Sequence, residues 1–190
     1  MITAATLDRM SNKLTSYINR YVKLPGNEKK EEMRSLFESI DRLFPNWVVM
    51  TCPMMHPTFH YISNNCLSIL GFEHTPAGNA NITAFFRNVH EADQDDLHSC
   101  FAYMHDYLSA LDPNEHPEYR CVLHYRFRNK NGQLVYLHDE KIVVKLGDSG
   151  NLYFALIRDL STERKFEGVK LEVFRQKEGL QKISEYRPVS

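Results

Sequence analysis

Apolar residues recur at helical spacing in the first 45 residues. Steps of three and four separate the members of a first stripe, which predicts a helix with one buried face. These members are Leu7, Met10, Leu14, Tyr17 and Tyr21. Pro25-Gly26 ends this pattern, and a second stripe follows it. The second stripe consists of Met33, Leu36, Phe37, Ile40 and Leu43. We therefore expect an N-terminal helical pair.

The middle of the chain combines short strand patterns with one long helical pattern. Residues 47–52 and 59–62 are rich in apolar and β-branched residues, which predicts two strands. Residues 94–111 carry an apolar stripe with helical spacing, and the stripe predicts a long helix. Its members are Leu97, Phe101, Met104, Leu108 and Leu111.

An alternating pattern marks the start of the second half. Apolar and polar residues alternate over 119–128, as in a strand with one buried face. Asn131-Gly132 predicts a hairpin turn, and further strands are expected over 133–144 and 152–157. Apolar residues at steps of three and four predict a final helix over 163–183.

This element order predicts an α+β fold: a five-stranded antiparallel sheet with helices on one face, the helical pair before it and an output helix after it. The expected organisation is a helical extension over 1–45, a sheet domain over 46–162 and a relay helix with linker over 163–190.

Charge and composition narrow the classes of function. The 190 residues include 23 basic and 24 acidic side chains, so no basic surplus favours contact with nucleic acid. No apolar run approaches the roughly 20 residues that span a bilayer. The first ten residues lack a secretion signal and the four cysteines are widely scattered, which favours reduced thiols and a cytoplasmic location.

Four segments resemble motifs of the PAS family, in the family's order. Residues 61–72 resemble the opening strand and its Leu-Gly-aromatic helix end, and residues 89–93 resemble the stretch before the long helix. Residues 125–136 are similar to the family's aromatic hairpin, and residues 159–165 to the run that leads into an output helix. The resemblance covers roughly residues 47–165 and implies a sensory module.

The resemblance also implies how a signal leaves the domain. Asp159 and Arg164 are expected to pair and to fix the angle of the output helix, and a simple strand-to-helix turn is the alternative. That helix would carry a dimer seam similar to the coiled coils that PAS domains often use. The seam residues are Phe166, Val169, Val173, Leu180 and Ile183. Packing of this helix on the domain itself is the alternative.

A small-molecule pocket is expected between the inner sheet face and the long helix, although a solid core is the favoured alternative. The residues that would line it are Phe101, Met104, Tyr125, Phe127, Tyr136 and Phe154. The nine histidines include no metal-binding spacing, so no metal and no cofactor is expected. His98 and His105 on the long helix are conceivable haem ligands, but both lie off its buried stripe.

No catalytic motif is present, so an enzyme is not expected. The sequence favours a sensory module that regulates a C-terminal effector through ligand- or partner-dependent changes in helix or dimer geometry. The arrangement is similar to the sensor half of bacterial LuxR-type helix-turn-helix regulators, and implies a homodimer. A ligand-free scaffold for protein–protein contact is the alternative, and a haem or flavin sensor is the third hypothesis.

Overall fold

A computed structural model describes residues 30–51, 61–71, 82–145 and 151–189. It also describes six positions of the N-terminal segment, and all six are helical. They are Arg9, Asn12, Lys13, Ser16, Tyr17 and Arg20. Of the stripe predicted there, Leu7, Met10, Leu14 and Tyr21 lie outside the described residues.

The described helices are short except for two. They are α1 (Lys30–Leu43), α2 (Cys66–Leu70), α3 (Ile82–Phe86) and α4 (Gln94–Ser109). Two 3₁₀ turns, Glu91–Asp93 and His116–Glu118, precede α4 and the following strand. Helix α2 ends at Gly71, whose φ of 64° is left-handed and whose N–H donates to the carbonyl of Leu67.

Within the described ranges, seven strands form one antiparallel sheet. They are β1 (Val48–Thr51), β2 (Tyr61–Ile62), β3 (Tyr119–Arg128), β4 (Leu134–Lys145), β5 (Asn151–Asp159), β6 (Lys170–Gln176) and β7 (Leu180–Tyr186). The strand order is β2-β1-β5-β4-β3-β6-β7. The α+β class and the antiparallel sheet therefore agree with the prediction, whereas the count of five strands does not.

The predicted C-terminal helix is wrong, because residues 170–186 form the β6–β7 hairpin. Val169, Leu171 and Val173 are buried and alternate with more exposed residues, which is strand periodicity. Gly168 and Gly179 have φ values of 104° and 140°, which a helix does not accommodate. The apolar positions fit both the helical period and the strand period, and pairing with β3 favours the strand.

Each face of the sheet is covered by a different helix. Helix α4 packs on the inner face, where the larger hydrophobic core lies. Helix α1 packs on the outer face through Phe37, which contacts a smaller buried cluster of Val49, Leu152 and Phe154. Helices therefore lie on both faces, not on one.

Candidate functional site

The inner face is filled by its own side chains. Phe101, Met104, Tyr125 and Phe127, which the sequence places at a pocket, lie in one core cluster and are at most 2% exposed. The crevice beside Met104 at this face measures about 10 Å³, close to the room that one water molecule needs. The packing of these four residues thus favours the solid core over a cavity.

Two predicted pocket residues lie on the outer face instead. Tyr136 pairs with Arg126, and Phe154 pairs with Ile142. A two-residue turn at Asn131-Gly132 would pair Phe127 with Tyr136. In the observed hairpin Asn129 bonds to Gln133 around a three-residue turn, so Phe127 pairs with Val135. This shift by one residue moves Tyr136 to the other face.

Phe154 lies on the outer face for a different reason. It lies 5.8 Å, between ring centroids, from Phe37 of α1, which buries this part of the outer face. Because both faces of β5 are apolar here, apolar character alone does not distinguish them.

The inner face contains a buried charged pair that sequence reasoning missed. The Lys141 ammonium lies 2.6 Å from Oδ1 of Asp139, which is fully buried. The Tyr125 hydroxyl donates to Oδ2 of Asp139 at 2.8 Å. Burial and the neighbouring carboxylate raise the pKa of Tyr125 well above its ordinary value. Alternation along β4 could have revealed the pair, since residues 137, 139, 141 and 143 share the inner face.

An aromatic side chain of the N-terminal segment reaches the same face. Tyr17 is 2% exposed and belongs to the core cluster. Its hydroxyl lies 3.1 Å from Nδ1 of the buried His116. Burial lowers the pKa of His116, so the neutral imidazole is favoured. The predicted apolar stripe included Tyr17 but did not indicate which element it packs against.

A chain of hydrogen bonds crosses the outer face. The Tyr136 hydroxyl lies 2.7 Å from Nδ1 of His124, and Nε2 of His124 lies 2.9 Å from the Glu172 carboxylate. Burial lowers the pKa of His124, although Glu172 acts in the opposite direction. Neutral His124 that accepts from Tyr136 and donates to Glu172 satisfies all three groups. The hydrogen bond from His124 in turn holds the pKa of Glu172 well below its usual range.

A shallow apolar groove runs beside α1 on the outer face. Its volume is about 360 Å³. Leu36, Ile40 and Phe44 form one wall, and Ile142 and Val144 of β4 form the other. The ion pair between Arg120 and Glu140, 2.8 Å apart, lies at its polar end.

Asp159 and Arg164 were expected to pair with each other, but each binds a different group. Asp159 accepts hydrogen bonds from the backbone N–H and the hydroxyl of Ser161, at 2.8 and 2.5 Å. The ion pair across this turn joins Arg158 and Glu163 at 3.3 Å. The backbone N–H of Arg164 donates to the Leu160 carbonyl. The joint is therefore a local turn stabilised by Ser161.

The predicted dimer seam is dispersed over both sheet faces and the loop before β6. Val169 and Val173 are buried in the inner core. Phe166 stacks edge-on against Tyr136. Leu180 and Ile183 lie exposed on β7. Because these residues belong to a loop and to the hairpin that follows it, they form no helical seam.

The described residues include no cluster of three or more metal-ligating side chains. His98 and His105 are half-buried on α4 but lie off its buried stripe, as the sequence indicated. Cys66, Cys100 and Cys121 are free buried thiols, and burial raises the pKa of each to about 12. None of the helices in the described ranges is long and apolar enough to cross a membrane.

Several solved structures are similar to this chain. The N-terminal domain of a diguanylate cyclase with a PAS/PAC sensor from Marinobacter aquaeolei is 15% identical, with a TM-score of 0.43, over 62% of this chain and 97% of that one. The PAS domain of an HTR-like protein from Haloarcula marismortui is 16% identical, with a TM-score of 0.42. The match covers 68% of this chain and 98% of that one.

The PAS-B domain of Cycle from Drosophila melanogaster, solved with bound ethylene glycol, is 18% identical, with a TM-score of 0.40. The match covers 59% of this chain and 98% of that one. No family model and no curated protein matches the chain. Each of these three structures is described as a PAS or PAS/PAC domain.

Proposed function

We propose that the chain is a sensory signalling module of the PAS type, which binds and relays without catalysis. The observation that supports this role most is one continuous sheet in which β3 pairs with both β4 and β6. Helix α4 packs on the inner face of that sheet and contacts β6 as well as β3. A rearrangement of inner-face packing would therefore be transmitted to the C-terminal hairpin.

The proposed output is the β6–β7 hairpin, in place of a helix. The ring of Tyr103 on α4 stacks on Tyr186 of β7, with centroids 4.6 Å apart and planes 10° apart. The Tyr103 hydroxyl lies 3.0 Å from Oγ of Ser184. These contacts couple α4 directly to the last strand. We propose that an effector of the same chain, of the transcription-regulating kind, responds to this hairpin in the cytoplasm.

Matched substitutions on the two sheet faces test the relay. Phe101→Leu perturbs the inner core beneath α4, whereas Phe37→Leu perturbs the smaller outer cluster by the same change in volume. Amide chemical shifts of residues 170–186 should respond to Phe101→Leu and remain nearly unchanged in Phe37→Leu. Equal or absent responses of the hairpin in the two variants would contradict the relay.

A ligand-free scaffold is the second candidate, and the packed inner face favours it. The crevice of about 10 Å³ there has no room for a small-molecule signal without rearrangement. Native mass spectrometry of freshly purified protein distinguishes the two roles. A retained small molecule supports ligand sensing, and a chain of bare mass supports contact with proteins.

The proposal includes a homodimer formed through β7. This strand lies at the edge of the sheet and exposes Leu180 and Ile183. If two copies pair antiparallel about a point between residues 183 and 184, Lys182 lies opposite Glu185 of the second copy. Opposite charges in facing positions favour this register over its neighbours.

Light scattering after size exclusion tests the dimer. The chain should elute as a dimer, and Lys182→Glu combined with Glu185→Lys should preserve it, because the exchange keeps each facing pair complementary. Lys182→Glu alone brings like charges together and should give monomers. A dimer that is indifferent to the single change would show that β7 is not its interface.

A further inference from the structure

Helix α1 is fixed to the outer face of the sheet along the side that faces β2 and β5. The Phe37 ring stacks on Tyr61 of β2, with centroids 4.5 Å apart and planes 21° apart. The Tyr61 hydroxyl donates to Oδ2 of Asp41 at 2.5 Å, which ties a second turn of the helix to the same strand. The groove of about 360 Å³ lies along the side of α1 that faces β4. Because these contacts hold the helix in place, the groove is preformed.

The groove has the size and the walls of a small-molecule site. Ligand pockets measure about 300–1,000 Å³ and are lined mainly by apolar side chains. Phe154 and Leu156 of β5 add to the apolar lining. On the helical wall, Leu36 and Phe44 are 39% and 50% exposed, so an apolar molecule in the groove would remove their surface from water.

The polar end of the groove favours an anion. Nη1 of Arg120 donates to Oε1 of Glu140 at 2.8 Å, and Oε2 of Glu140 lies 3.6 Å from Nε2 of His138. Both carboxylate oxygens therefore already face a basic group. Among the residues that the structure describes, Nε and Nη2 of Arg120 make no hydrogen bond. A guanidinium presents its five donors in a planar fork that matches a carboxylate, so Arg120 retains the capacity to bind one.

We propose that this groove binds a small apolar monocarboxylate. Its hydrocarbon part lies between α1 and β4, and its carboxylate accepts hydrogen bonds from the spare donors of Arg120. The site lies on the opposite face of the sheet from α4, so it is separate from the proposed inner-face relay. Its test involves no residue of the C-terminal hairpin, and the relay and the site can fail independently.

Octanoate is the probe, and Trp47 reports its binding. Trp47 is the single tryptophan of the chain and lines the groove. Its fluorescence should change saturably as octanoate is added to the unaltered chain. Octanol and octylamine carry the same hydrocarbon chain with a neutral and a positive head. Octanoate should bind about three- to tenfold more tightly than octanol, because a charged hydrogen bond is added at a half-exposed site. Octylamine should bind no more tightly than octanol.

Two substitutions in the walls test the location. Val144→Phe places a larger side chain in the groove and should remove the saturable response to octanoate. Val189→Phe makes the same change at a fully exposed position and should leave the response intact. Leu36→Glu puts a negative charge on the exposed helical wall and should weaken binding, whereas Ser35→Glu, at the adjacent exposed position, should not. If Val144→Phe does not fold, the comparison of Leu36→Glu with Ser35→Glu decides.

Arg120→Lys tests the proposed carboxylate contact. Lysine retains a positive charge for Glu140 but lacks the planar fork, so the preference for octanoate over octanol should largely disappear. Arg128→Lys, at the exposed end of β3, is the matched control and should retain that preference. Full retention of the preference in Arg120→Lys would overturn the role of Arg120.

Three results would overturn the site itself. One is the absence of a saturable change in Trp47 fluorescence with octanoate. Another is an affinity for octanol or octylamine that equals or exceeds the affinity for octanoate, because the groove would then not select a carboxylate. The third is an unchanged affinity for octanoate in a folded Val144→Phe or in Leu36→Glu.

Discussion

The carboxylate of Asp93 binds both the main chain and the side chain of Arg126. Oδ2 accepts from the Arg126 backbone N–H at 2.8 Å and from Nε at 3.0 Å, and Oδ1 accepts from Nη2. Asp93 directly precedes α4, but its side chain makes no capping bond to that helix. It instead fastens the start of α4 to the C-terminal part of β3.

Asp93→Asn should therefore destabilise the fold by about 2 kcal/mol, because hydrogen bonds to a charged acceptor are worth about 1.5–3 kcal/mol and Asp93 is buried. Urea unfolding measures the loss. Asp95→Asn, at an exposed position two residues away, is the matched control and should change stability by less than about 0.5 kcal/mol. Equal losses would mean that the pair with Arg126 contributes little.

The contact between Tyr103 and Tyr186 should determine how firmly the hairpin is held. Tyr186→Ala removes the stacked ring, and such aromatic pairs are worth about 0.5–1.5 kcal/mol beyond their buried area. Amide exchange of residues 180–186 should accelerate by about three- to tenfold, while exchange in β4 and β5 stays the same. Tyr186→Phe retains the ring and should exchange like the unaltered chain. Uniform acceleration throughout the sheet would contradict a local role.

Gly71 should be less replaceable than Gly132, although both have left-handed φ values, of 64° and 76°. A Cβ on Gly71 would lie 2.8 Å from the backbone nitrogen of Lys130, whereas a Cβ on Gly132 would meet nothing within 4 Å. Gly132→Ala should cost about 1–2 kcal/mol, the conformational penalty alone. Gly71→Ala should cost at least 1 kcal/mol more, since the β3–β4 turn must also move. Denaturation midpoints that coincide would show that the turn yields freely.

Acid should weaken the fold through His124. Burial lowers the pKa of His124, so the unfolded chain binds this proton more readily than the folded chain does. The stabilising contribution of the neutral imidazole is present above pH 6.5 and is lost as the pH falls below that value. One such group changes the free energy of unfolding by at most about 1.4 kcal/mol per pH unit.

The measurement is the free energy of unfolding between pH 7.5 and 5, in the unaltered chain and in His124→Gln. His98 and His116 also have pKa values lowered by burial and contribute to the same window, so the comparison isolates His124. Gln retains hydrogen-bonding capacity toward Tyr136 and Glu172 but does not titrate. The free energy of unfolding should change less steeply with pH in His124→Gln than in the unaltered chain. Identical slopes in the two proteins would contradict the prediction.

The sequence predicted elements where one period dominated. The alternation over 119–128 and the stripe over 94–111 correspond to β3 and α4. The prediction of a helix over residues 163–183 was wrong, because the apolar residues there fit both the helical period and the strand period. The choice there depends on the free edge of β3, which no local pattern describes.

The candidate site was predictable only in part, because side-chain orientation depends on register. One extra turn residue between Asn129 and Gln133 moved Tyr136 to the outer face. The burial of Tyr17 against His116 joins positions 99 residues apart, and no spacing along the chain indicates it. Asp139 and Lys141 were the exception, since their inner-face position follows from alternation along β4.

The strand order also has a consequence for synthesis of the chain. β1 lies between β2 and β5, and Val48 pairs with Ile157, 109 residues later. At translation rates of about 5–20 residues per second, β5 is synthesised about 5–20 seconds after β1. Until then β1 has only β2 as a strand partner, so its four residues, which are buried in the native sheet, are not yet covered by β5. Slowing of translation between these two strands should therefore lower the yield of folded protein, although no residue of the native structure has changed.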